Sequence, residues 1–99
     1  MSGYILIVDD HLEVRELIAD VLHTLGLEGK SAVNGRDALE MIAAEPPRLI
    51  ILDIMMPVMD GFSVLTRLQQ DPVARSIPII ILSAIADEAG PMTRLAGVG

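Results

Sequence analysis

Three short apolar runs, none alternating with polar residues, constrain this chain more than any other feature: YILIV at Tyr4 to Val8, LIIL at Leu49 to Leu52 and IPIIIL at Ile77 to Leu82. Each reads as a strand buried on both faces, which suits the interior of a parallel sheet. Pro78 sits at the start of its run, where a missing donor is tolerated. Strands buried on both faces need helices on both sides, and the intervening segments have the right period. Val14, Leu17, Ile18, Val21, Leu22 and Leu25 follow helical spacing. Asp10 with Glu13 makes a capping-box signature at the start of that helix, and Gly26 suits its end.

The rest of the chain keeps the same alternation. Leu27 to Val33, broken by Gly29 and carrying Glu28 and Lys30, reads as a weak strand at a sheet edge. Asn34-Gly35 predicts a turn. Ala38, Leu39, Ile42 and Ala43 then mark a second helix, ended by Pro46 and Pro47. Phe62, Val64, Leu65 and Leu68 mark a third, which stops before Pro72. A weaker helical signal runs from Ala86 to Ala96, interrupted by Gly90-Pro91. The order strand, helix, strand, helix, strand, helix, strand, helix implies an α/β fold, a parallel sheet with right-handed crossovers and helices on both faces.

Composition excludes several function classes. With 99 residues and 52% hydrophobic content, the chain makes one domain with a modest core of aliphatic residues, because only 2% is aromatic. The net charge of −7, with six arginines and the single lysine Lys30, argues against a nucleic-acid surface. The absence of cysteine excludes disulfides, thiolate metal sites and cysteine nucleophiles, and fits a cytoplasmic location. No apolar run approaches the roughly 20 residues of a membrane helix.

The chemistry gathers at the ends of the apolar runs. Asp9 and Asp10 follow the first, Asp53 the second and Ser83 the third. In a parallel sheet these ends lie on one side, where open α/β sheets bind ligands. Taken locally, Asp53 could simply start a turn, Asp10 could simply cap a helix, and Ser83 could simply end a strand. Taken together, three carboxylates need a compensating cation, and an all-oxygen donor set suits Mg²⁺. Asp53, coming directly off the most apolar strand, is then the candidate nucleophile towards phosphorus. Asp9 and Asp10 are the candidate metal ligands, and Ser83 is a candidate hydroxyl for an equatorial oxygen of the transferring group. His11 reads as a solvent-facing residue of the first helical turn, and His23 as surface. Met55, Met56 and Met59 read as packing and loop residues.

The segments IVDD at Ile7 to Asp10, DIMMPVMDG at Asp53 to Gly61 and PIIILSA at Pro78 to Ala84 resemble, in order, those of the receiver domain of bacterial two-component response regulators. The resemblance covers essentially the whole chain. It implies a flavodoxin-like doubly wound sheet of strand order 2-1-3-4, with Asp53 as phosphoacceptor. It further implies Asp9, Asp10, Asp53 and the backbone carbonyl of Met55 at Mg²⁺, Ser83 as switch hydroxyl and Ala84 as its small neighbour. The implied partner is a histidine kinase or phosphotransfer protein, and the phosphorylated state would change the surface offered to others. The implied protein is a signalling module rather than an enzyme.

Receiver domains continue into a fifth strand bearing a lysine and then a fifth helix, and neither segment is found before Gly99. Lys30, on the second strand, belongs to the opposite edge and does not replace that lysine. The expectation is therefore a receiver over residues 1–99, incomplete at its C-terminus and impaired in signalling. Its fourth strand would be an exposed edge through which copies self-associate, and its first helix would lack a neighbour. Two alternatives stand beside it. One is a phosphorylation-independent interaction module. The other is a Mg²⁺-dependent phosphohydrolase, disfavoured because Met55 stands two residues after Asp53, where hydrolases that pass through an aspartyl phosphate often place a second Asp.

Overall fold

The computed structural model describes residues 3–56, 59–83 and 92–96, with Ser83 and the last five described by their backbone. Strands β1 (Tyr4–Val8), β2 (Glu28–Ala32), β3 (Leu49–Asp53) and β4 (Ile79–Ser83) alternate with helices α1 (Leu12–Thr24), α2 (Gly35–Ala44) and α3 (Gly61–Gln69). The four strands are parallel in the order β2-β1-β3-β4, the flavodoxin-like arrangement expected from sequence. A short 3₁₀ turn at Ala74–Ser76 leads into β4.

The unalternating runs are buried as their composition requires. Every residue of β1 is buried. Successive side chains serve opposite layers of the molecule. Tyr4, Leu6, Val8, Ile50 and Leu52 pack with Ala38, Ile42, Val64 and Leu68 of α2 and α3. Ile5, Ile7 and Ile51 pack with Leu22 of α1. This second layer is the thinner one. Leu22 is the buried residue of α1, while Leu17, Val21 and Leu25 are exposed. The apolar stripe of α1 is thus wider than the sheet area that the helix covers.

Local signals explain most helix ends. Gly26 has a φ of 77°, the left-handed conformation that ends α1. Asn34 caps α2 by accepting from the Asp37 N–H at 2.8 Å, and Asp60 caps α3 by accepting from the Ser63 N–H at 2.8 Å. Three expectations need correction here. Asp10 does not cap α1, because the N-cap position is His11 and no side chain bonds there. Asn34-Gly35 opens α2 as cap and first helical residue instead of forming a separate turn. Phe62 does not join the buried stripe of α3 and is exposed.

The largest correction concerns the end of the chain. Met92–Ala96, expected within a helix, forms a strand, β5, antiparallel to β4, with Ser83 opposite Met92 and Ile79 opposite Ala96. Instead of being the exposed edge expected from sequence, β4 is paired on both sides, by β3 and by this antiparallel strand. The unmet backbone groups of an interior-type strand are satisfied by pairing, which overrides the weak local helical signal. The edge-based case for self-association through an exposed β4 therefore does not hold. The earlier part of the expected helix, 86–91, lies outside the described residues.

Candidate functional site

The register of the sheet brings the acids together. Val8 of β1 pairs with Leu52 of β3, so Asp9 and Asp53 emerge at the same level; Asp53 pairs with Leu82 of β4, so Ser83 stands one residue beyond that level. Asp9 and Asp53 are buried and Asp10 is half-buried. One ligand atom from each of Asp9, Asp10, His11 and Asp53 can be chosen so that all four lie within 4.8 Å of one another.

Backbone turns fix two of the three acids. Asp53 Oδ1 accepts the Met55 N–H at 2.9 Å, an Asx-type bond that starts the loop after β3. The loop then folds back on the strand, with the Gly61 N–H donating to the Ile54 carbonyl at 3.2 Å. Asp9 Oδ1 accepts the His11 N–H at 2.8 Å, and the Asp9 carbonyl accepts from Arg15 Nη1 at 2.8 Å.

His11 departs from expectation. Its side chain is 68% exposed, but Nδ1 lies 3.1 Å from Asp9 Oδ1 and 3.2 Å from Asp10 Oδ1. It therefore belongs to the cluster. Hydrogen bonding to Asp9, with the added field of Asp10 and Asp9, raises the pKa of His11 above the ordinary imidazole value. Burial, reinforced by the charges of Asp9 and Asp10, raises the Asp53 carboxyl above the usual range; the Met55 N–H and His11 act in the opposite sense. Asp10 Oδ1 is buried with no hydrogen-bond partner among the described residues. Three carboxylates, one presenting a buried oxygen that accepts no hydrogen bond and has the His11 ring beside it, fit a hard divalent cation such as Mg²⁺.

Arg15 is a site residue that the sequence reading misses. Its place six residues after Asp9, four after His11 and on the same face of α1, is the signal that could have found it. Met56 is buried in the core and Met59 packs against it, as expected, while Met55 is exposed. Lys30 lies on edge strand β2, 3.5 Å from Glu45 and 4.7 Å from the centre of the Tyr4 ring. The Ser83 hydroxyl and all of Ala84 lie outside what is described.

Comparison with known proteins decides the family. The profile of the response regulator receiver domain matches residues 5–96. The chain belongs to that family. It is 38% identical over 91 residues to the "probable transcriptional regulator ycf27" of Cyanophora paradoxa, a match covering 92% of this chain and 37% of that protein. It is 41% identical over 85 residues to the response regulator PleD of Caulobacter vibrioides, covering 86% of this chain and 19% of that protein. The N-terminal domain of a response regulator receiver protein from Methanoculleus marisnigri superposes with a TM-score of 0.79 at 38% identity, covering 88% of this chain and 76% of the other. The chain thus spans well under half the length of the curated relatives it matches. Receiver domains are phosphoacceptor signalling modules that generally bind Mg²⁺ at an acidic pocket. No helix among the described residues is long and apolar enough to cross a membrane.

Proposed function

We propose that this receiver domain accepts a phosphoryl group on Asp53 from the phosphohistidine of a histidine kinase or phosphotransfer protein, in the cytoplasm. The observation that carries this reading is the buried Asp53 carboxylate at the end of β3, gathered with Asp9 and Asp10 at one edge of the sheet. The Met55 N–H holds Asp53 Oδ1, which leaves Oδ2 as the attacking oxygen. Its electron pair forms the new O–P bond as the P–N bond of the donor breaks, and that bond's electron pair leaves on the imidazole nitrogen. Asp9, Asp10, Asp53 and the Met55 carbonyl would hold Mg²⁺, which when bound neutralises charge on the transferring group.

Ser83 is the proposed hydroxyl for the transferred group. Its position at the end of β4, one residue beyond the partner of Asp53, supports this role. Ala84 is the proposed small neighbour. Without a second Asp at position 55, this chain has no acid there to activate water, and the acyl phosphate should persist rather than turn over. Treatment of the chain with acetyl phosphate and Mg²⁺, followed by intact mass measurement, tests the reading. One added phosphoryl group is expected, and its retention in Asp53→Asn would overturn the assignment.

A further inference from the structure

We propose that His11 is a further protein ligand of the metal site, beyond the three acids and the Met55 carbonyl, coordinating through Nδ1, and that it shifts the preference of the site from Mg²⁺ towards nitrogen-binding divalent ions such as Co²⁺ and Ni²⁺. The proposal rests on the reading of Asp9, Asp10 and Asp53 as the metal site. Its geometric basis is the position of Nδ1, 3.1 Å from Asp9 Oδ1 and 3.2 Å from Asp10 Oδ1. Two neighbouring ligands of an octahedral ion with bonds of roughly 2.1 Å stand about 3.0 Å apart. Nδ1 therefore stands at an adjacent-ligand distance from both carboxylate oxygens at once.

The backbone sets this placement. His11 is the N-cap residue of α1, with φ −98° and ψ 117°, and its own N–H is bonded to Asp9 Oδ1. The chain is thus turned tightly enough to return the ring over the two acids that precede it. The ring is largely exposed, so a metal can reach it without rearrangement of the core. The Asp10 oxygen beside it lacks a hydrogen bond.

Donor chemistry then decides which ions benefit. Mg²⁺ gains little from an imidazole and keeps oxygen ligands and water. Ions later in the first transition row gain progressively more from the same nitrogen. A histidine acting only as a cationic neighbour of the acids would weaken all divalent ions alike. A histidine ligand separates them.

Calorimetric titration of the full chain with Mg²⁺ and with Ni²⁺, for the unaltered protein and for His11→Gln, reads this separation. The expected result is a loss of about tenfold or more in Ni²⁺ affinity with Mg²⁺ affinity changed by less than about threefold. The visible spectrum of bound Co²⁺ should also change on substitution. Asp10→Asn should weaken both ions, which ties the binding to this site and not to His23. Equal changes for Mg²⁺ and Ni²⁺ in His11→Gln, or none for either, would overturn the ligand role alone. Failure of the unaltered protein to bind either ion would overturn the metal-site reading as well.

Discussion

Gly61 lies directly against Ile54: a Cβ built on Gly61 would stand 2.4 Å from Ile54 Cα and 2.9 Å from the Asp53 carbonyl oxygen. The first helical residue of α3 is thereby clamped onto the end of β3, beside the carbonyl of Asp53. Gly61→Ala cannot be accommodated by a side-chain shift alone, because two of the three obstructing atoms, the nearest included, are backbone. We expect a loss of about 1–3 kcal/mol, the range for overpacking, measured by urea unfolding. A variant as stable as the parent would show that the loop yields.

Asp53 is buried beside two other acids, and its carboxyl is shifted upward. A carboxyl whose folded value is raised favours the fold below its unfolded value, about 3.9 for Asp, and that contribution is lost as the pH rises through the raised folded value. Asp53→Asn should therefore raise the thermal midpoint at pH 7 by a few degrees, since about 1 kcal/mol corresponds to roughly 4–8 °C in a domain of this size. The gain should shrink as the pH falls below the folded value. A gain independent of pH would assign the effect to something other than charge burial.

Much of this site is legible in the sequence alone. Asp9, Asp10 and Asp53 each follow an apolar run too uniform to be a half-exposed strand, and a parallel sheet places such residues on one side. The features that the sequence hides depend on contacts between segments or on the exact course of a turn. Met92–Ala96 has no strong strand signature, and only the unpaired edge of β4 makes it one. Asp10 carries a capping signature, but the two-residue turn from Asp9 to His11 moves the helix start past it. His11 reads as surface because exposure and participation are compatible for a long ring at a helix start. Phe62 has the right spacing for the α3 stripe, yet the buried flank of that helix is carried by Val64 and Leu68.

Arg15 holds the Asp9 carbonyl and so positions the loop that carries both Asp9 and Asp10. Arg15→Ala should weaken Mg²⁺ binding about fivefold, as expected for loss of one hydrogen bond of about 1 kcal/mol. Arg15→Lys should restore part of it. Calorimetric titration distinguishes this from a purely structural role, which would lower the thermal midpoint without changing metal affinity.

Asn34 supplies the side-chain cap of α2. Asn34→Ala should cost about 1 kcal/mol, and Asn34→Gly a few tenths, as read by denaturant midpoint. Neither variant should alter phosphorylation, because the capping bond is made within the first turn of α2 and to none of the three acids.

Asp53 is the residue on which the phosphoryl group should be found. Borohydride reduction of the protein after treatment with acetyl phosphate and Mg²⁺ converts an acyl phosphate to an alcohol that stays on the chain, and peptide mass mapping then locates it. A single reduced residue at position 53 is expected. Reduction at Asp9 or Asp10, or at none of the three, would contradict the assignment.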